Sequence, residues 1–226
     1  FIAALAALPI AVGLLISFSR GAWISAALSL AIVVWILFVR SRRSSDFRRM
    51  GWVASIGAAG LVLAIVAALQ VDQVRSLLQE RANMDQSYDQ GPEGRFGGQQ
   101  KARRLILENP FGIGTHTFRD VYHHEEPHNV YLSMFLNAGW IGGLLYLGSV
   151  LVTVWTGLRL AMRNGALQGP LVVASASFAS VAFEGGIIDS DHWRHFFLMM
   201  ACVWGLADAA TQVRDPARRK EDQAPA

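Results

Sequence analysis

Apolar residues along this chain are gathered into long blocks instead of recurring at a helical or strand period. Six blocks can be drawn, at about 1–18, 21–39, 51–70, 129–157, 166–187 and 195–210. Crossing about 30 Å of hydrocarbon takes a helix of roughly 20 residues, and these blocks have that scale. Open sheets cannot leave edge groups in lipid, and the blocks lack the alternation of a barrel strand, so helices are the expectation. The pattern predicts an all-α, polytopic transmembrane bundle. Three spans occupy 1–70, a long loop with short helices 71–127, three further spans 128–210, and a polar tail of disordered composition 211–226.

The polar residues between the blocks set the orientation. Arg40, Arg42, Arg43, Arg48 and Arg49 face one acid, Asp46, which marks a cytoplasmic loop. Counting spans puts Arg159 and Arg163, and the tail with Arg214, Arg218, Arg219 and Lys220, on the same side. The turn around Arg20, the stretch 71–127 and the link from Gly185 to Arg194 then fall on the opposite face. Most of the chain's polar diversity is concentrated there, and function is expected there.

Composition sharpens this picture. Of 226 residues, 53% are hydrophobic and 16% charged, which is outside the ordinary soluble range. The net charge of +3 does not point to nucleic acid, because the basic residues lie mainly in short loops and encode topology. Cys202 is the single cysteine, so neither a disulfide framework nor a thiolate metal cluster can be built. The first residue, Phe1, already belongs to an apolar block without a basic leader, which predicts further spans upstream.

Within the long loop, Gln86 to Gly98 is polar and glycine-rich, and Gln99 to Glu108 has helix-forming composition ended by Asn109-Pro110. Pro127 is expected in the first turn of the next helix. Gly139, Gly142 and Gly143 would let the following span bend or pack closely.

Several polar groups carry candidate chemistry. Arg20, in Ser17-Phe-Ser-Arg-Gly-Ala-Trp23, sits at interfacial depth on the side where cations are scarce. It reads either as a snorkelling arginine or as a planar cation for a lipid-linked phosphate. The glycines around Arg95 would let its loop approach a ligand, whereas Lys101, Arg103 and Arg104 read as a solvated face.

His123-His-Glu-Glu-Pro-His-Asn129 is the densest polar cluster. Pro127 interrupts any i, i+4 histidine pair and the spacing matches no zinc signature, so no metal is expected from it. His128, at a helix start and titrating near neutrality, suits proton transfer; the plainer reading is an exposed interfacial histidine. Asp189-Ser-Asp191 matches the Asp-x-Asp of nucleotide-sugar enzymes only weakly. His192, Trp193, Arg194 and His195 read as an interfacial anchor.

Taken together, Ser19-Arg-Gly-Ala-Trp23, Gly94-Arg95, Asn109-Pro-Phe-Gly-Ile-Gly114 and Pro127-His-Asn-Val-Tyr-Leu132, with Gly139 downstream, resemble the O-antigen ligase-like membrane family over roughly residues 17 to 145. The resemblance implies an inverting, metal-independent glycosyltransferase of the bacterial inner membrane, active at its periplasmic face and needing no cofactor. Its donor would be an undecaprenyl-pyrophosphate-linked glycan and its acceptor a lipid A core or an oligosaccharide. Position by position, it implies that Arg20 and Arg95 bind the pyrophosphate and that His128 activates the acceptor hydroxyl. Glu126, Asn129 and Arg194 are possible supporting residues, and Glu125 and Glu126 leave open which group takes the proton. A repeat-unit polymerase of the same family, and a non-enzymatic transporter with Glu184 as its intramembrane acid, are the competing readings.

Overall fold

A computed structural model describes residues 9–41 and 91–214, apart from 15 and 191, together with isolated positions between 48 and 76. The expected third span, the first part of the long loop and the tail beyond 214 lie outside the described residues, those isolated positions aside. Every regular element among the described residues is helical. Residues 9–14 are helical and lead into α1 (Arg20–Arg40). Then come α2 (Arg95–Glu108), a π-helical turn (Phe118–Tyr122), α3 (Val130–Ala161), α4 (Gln168–Glu184) and α5 (Arg194–Arg214).

Helices α1 and α3 are long and apolar enough to cross a membrane. The last two expected blocks are helical, as α4 and α5, but α4 has only 17 residues and α5 is less apolar. Leu30, Trp35 and Phe38 of α1 and Ile141, Leu145 and Trp155 of α3 point outward. Large apolar side chains on an outer face suit lipid contact, where water would oppose them.

Ser19 caps α1 by accepting a hydrogen bond from the Ala22 N–H at 3.3 Å. At the other end, the Arg40 guanidinium donates to the carbonyls of Ala161 (3.2 Å) and Arg163 (2.8 Å) and to the Asn164 side chain. The end of α1 is thereby tied to the α3–α4 link. Buried Ile36, Ala161, Leu171 and Val172 fill the bundle near this clamp, and Val150, Phe178, Phe196 and Val203 join α3, α4 and α5 further along.

Helix α2 begins at Arg95, four residues before its expected start, because two glycines that read as loop are required by packing. A Cβ on Gly97 would lie 2.3 Å from the Pro92 carbonyl oxygen, and one on Gly98 would lie 3.1 Å from the His123 ring. Its end at Glu108, before Asn109-Pro110, is as expected. Pro127 is not in the first turn of α3: that helix starts at Val130 behind the cap Asn129, whose side chain accepts from the N–H groups of Tyr131 and Leu132. The cap fixes the start three residues later than the proline suggested.

The bend expected near Gly139 is present, with φ 68° and ψ −171° at that residue. Pro110 and Phe111 sit in the bend. The Pro110 carbonyl accepts from the Trp140 N–H at 2.9 Å, and the Ile113 N–H donates to the Leu136 carbonyl. Buried Ala102, Leu105, Phe118 and Leu136 pack α2 and the π-helical turn onto α3 beside it. A Cβ at Gly139 would meet backbone atoms of Pro110 and Phe111 at 2.6 Å, in a region of φ/ψ that only glycine occupies readily. Gly139→Ala is therefore expected to destabilise the fold by about 2–5 kcal/mol through strain plus overpacking, seen as a lowered Tm in detergent.

Candidate functional site

The end of the bundle opposite the Arg40 clamp holds a cavity of about 620 Å³. Its wall includes Phe18, Ser19, Arg20 and Gly21 from the start of α1, Arg95, Phe96 and Gln99 from the first turns of α2, Glu125 and His128 from the segment before α3, and Glu184 at the end of α4. Arg20, Arg95 and His128 thus reach one space from three separate parts of the sequence.

Both arginines are the first residue of their helix. A cation there opposes the positive end of the helix dipole, where acids are normally favoured, and neither first turn contains an acid. Two helix N-termini, each carrying a guanidinium, therefore line the same cavity. The sum of these partial and full charges suits a polyanion, and the planar guanidinium fork matches phosphate oxygens. Gly94, which precedes Arg95, provides no side-chain cap to α2.

The glycine and tryptophan of the Ser19–Trp23 motif have local explanations. A Cβ on Gly21 would lie 2.6 Å from a Glu184 carboxylate oxygen, so glycine is what lets α4 bring that acid against α1. Ser25 donates to the other oxygen at 2.7 Å. The Trp23 indole N–H donates to the Leu14 carbonyl at 2.8 Å and anchors the start of α1 to the preceding helical segment. Phe18, with φ 49°, sits in the left-handed region just before the cap.

His128 is also left-handed, with φ 49°, a conformation uncommon outside glycine. Its carbonyl accepts a long bond from the Gln99 side chain, and its ring lies between two carboxylates. Nε2 is 3.1 Å from Glu125 Oε2, and Nδ1 is 3.4 Å from Asp189 Oδ2. The other oxygen of Asp189 accepts from the Asn129 N–H at 3.2 Å and the Ser133 hydroxyl at 2.9 Å. Asp189 is only 16% exposed, against 37% for the His128 side chain. The array is an imidazole held from behind by a mostly buried, hydrogen-bonded acid and faced by a more exposed one.

The electrostatics follow from these contacts. The hydrogen bond to Asp189 raises the His128 pKa above its ordinary value; partial burial pulls the other way, and the Glu125 contact adds to the rise. Burial pushes the Asp189 carboxyl up, but its bonds to His128 and Ser133 outweigh that and leave it lowered. The same His128 contact lowers Glu125. By linkage, the paired imidazolium stabilises the fold fully below the unfolded histidine pKa, and that contribution is lost as pH rises through the higher folded value.

The remaining candidates fall elsewhere. Glu126 approaches His116, with Nδ1 to Oε1 3.4 Å, and does not line the cavity. Asn129 acts on the site indirectly, capping α3, donating to the Gly186 carbonyl at 2.9 Å and offering its N–H to Asp189. Arg194 is exposed at the start of α5, away from the cavity wall. Of the Asp189-Ser-Asp191 pattern, Asp189 turns to His128, and Asp191 lies outside the described residues. The pairing of Asp189 with His128 had no signal in the sequence, since the two residues belong to segments joined only by the packing of α3 on α4.

A family model described as O-antigen ligase matches residues 5–147, well over half of the chain. No curated protein and no solved structure matches it. The matched region contains both arginines, His128 and the glycine bend against which the Asn109–Gly114 turn is folded. On that match, the chain belongs to the O-antigen ligase family of membrane proteins.

Proposed function

We propose that this chain carries the reaction site of a membrane-embedded glycosyltransferase. It would move glycan from an undecaprenyl-pyrophosphate donor to a hydroxyl of a lipid A core or related acceptor, at the periplasmic face of the bacterial inner membrane. The observation that carries this reading is the single cavity lined by Arg20, Arg95 and His128, with both arginines at helix N-termini. The family match supports the coarser part, an O-antigen ligase-like activity.

The chemistry suits a site without nucleotide sugars. The acceptor oxygen forms a bond to the anomeric carbon from the face opposite the leaving group, which accounts for inversion. The carbon–oxygen bond to the pyrophosphate breaks, and the lipid pyrophosphate leaves with the electron pair. Charge grows on its oxygens, where Arg20, Arg95 and the two helix ends meet it with preorganised positive charge and no metal at the reacting atoms. The acceptor proton passes to His128. Asp189 holds the Nδ1–H tautomer, which presents the Nε2 lone pair, and Glu125, more than half exposed, yields its place beside Nε2 to the acceptor hydroxyl.

A base must be neutral to accept the proton, so the raised His128 pKa puts the acidic limb of the pH–rate profile above the ordinary imidazole value. Glu125 and Asp189 act to raise it, and Arg95 opposes them. Asp189→Asn keeps an oxygen for Asn129 and Ser133 but removes the charge, and is expected to shift that limb to lower pH. An unmoved limb in kcat/KM would remove His128 from the role of base. Transfer from a purified donor lipid by the full-length protein tests the activity itself, and no transfer to any hydroxyl acceptor would refute the proposal. Ligation and polymerisation separate in the lipopolysaccharide ladder of a knockout: complete loss of attached chains marks a ligase, single-unit bands a polymerase.

A further inference from the structure

We infer that Glu93, His123 and His124 form a binding site for a divalent transition metal of the zinc class, beside the reaction cavity and separate from it. The donor atoms of the three residues lie within 4.8 Å of one another. Glu93 Oε2 is 3.5 Å from His124 Nδ1 and 4.0 Å from His123 Nε2. The two imidazoles stack with centroids 4.4 Å apart. None of the three lines the cavity that holds Arg20, Arg95 and His128.

The decisive member is His123. Its side chain is 2% exposed, and its Nε2 has no hydrogen-bond partner among the described residues while facing Glu93. A buried polar nitrogen left in this state costs free energy that a bound cation would recover. Its other nitrogen, Nδ1, lies 3.1 Å from the Glu125 carbonyl oxygen and 3.2 Å from the Glu125 backbone nitrogen, so it can donate to the one or accept from the other. A bound metal would select the tautomer in which Nδ1–H donates to that carbonyl, the usual orientation of a ligating histidine, with the Nε2 lone pair directed at the metal. Gly98 makes the arrangement possible, because a side chain there would meet the same ring.

Two imidazoles and a carboxylate are a donor set for zinc and its neighbours, with a fourth position open to water. Tetrahedral coordination brings donors to about 3.3 Å from one another, given metal–ligand distances near 2 Å. Glu93 (78% exposed) and His124 (56% exposed) are free to close that difference onto the fixed His123. Spacing along the chain gave no zinc signature, because the carboxylate comes from a loop about 30 residues upstream and only the fold delivers it.

The consequence concerns the neighbouring site. Glu93 lies two residues before Arg95, and His124 immediately precedes Glu125. A metal here pins the Gly91–Gly94 loop to the segment carrying His128 and so fixes Arg95 relative to His128. It takes no part in bond making. The inference does not depend on the transfer reaction, and its test reads metal binding directly.

The full-length protein in detergent, stripped with chelator and titrated with Co²⁺, should take up about one equivalent with the visible absorption of a four-coordinate ion. Zn²⁺ should displace it and raise the Tm. Glu93→Gln and His124→Ala alter exposed side chains, so folding should survive, and each should weaken binding at least about tenfold. His128→Ala should leave the absorption unchanged. No stoichiometric binding at micromolar free metal overturns the inference, as does binding that survives both Glu93→Gln and His124→Ala.

Discussion

His128→Ala in the full-length protein is expected to lower glycan transfer by about 10²–10⁴-fold, the range that a positioned general base contributes, with membrane insertion intact. The side chain is more than one-third exposed and caps nothing, so its removal leaves α3 with Asn129 as its cap and Asp189 bonded to Asn129 and Ser133. The defect should therefore lie in kcat, with donor affinity near that of the unaltered protein. It is measured by single-turnover transfer from a purified donor lipid. Retention of the unaltered rate would move the proton to Glu125, the other acid-base group within reach of Nε2.

Loss of the first guanidinium acts on the other half of the reaction. Arg20→Ala is expected to reduce transfer by about 10²–10³-fold, the usual cost of removing one preorganised group that meets developing charge. Arg20→Lys should recover only part of it, because a point charge cannot make the paired contacts of a guanidinium. As Ser19 retains the cap of α1, the helix itself should persist, and circular dichroism of the purified variant checks this. A variant that inserts normally and transfers glycan at the unaltered rate would return Arg20 to the plainer reading, an interfacial arginine beside Trp23.

The different fates of the candidate residues have a common physical origin. Arg20 and Arg95 stand out in the sequence because a cation is unexpected at each position: in a tight turn between two apolar blocks, and in a glycine-rich loop. His128 stood out as an imidazole directly before an apolar span. Glu125 and Glu126 could not be told apart, since adjacent residues point in different directions according to the local backbone. The fold sends Glu125 to His128 and Glu126 to His116. Asp189 falls in an Asp-x-Asp pattern that gives no hint of His128, because the contact joins segments far apart in the chain.

The helical class, the two helices long and apolar enough to cross a membrane, and the motifs that carry the family were already present in the linear sequence. These depend on local composition, and a run of apolar residues or a glycine between spans has the same meaning wherever the chain goes. The tertiary structure alone decided which acid stands behind the histidine, that two helix N-termini line one cavity, and that Glu93 meets His123 and His124. Each of these is a contact between segments far apart in the chain, set by the packing of α1 and α3 against α4 and of α2 against α3. Such contacts depend on the shape of every intervening element, and no residue spacing encodes them.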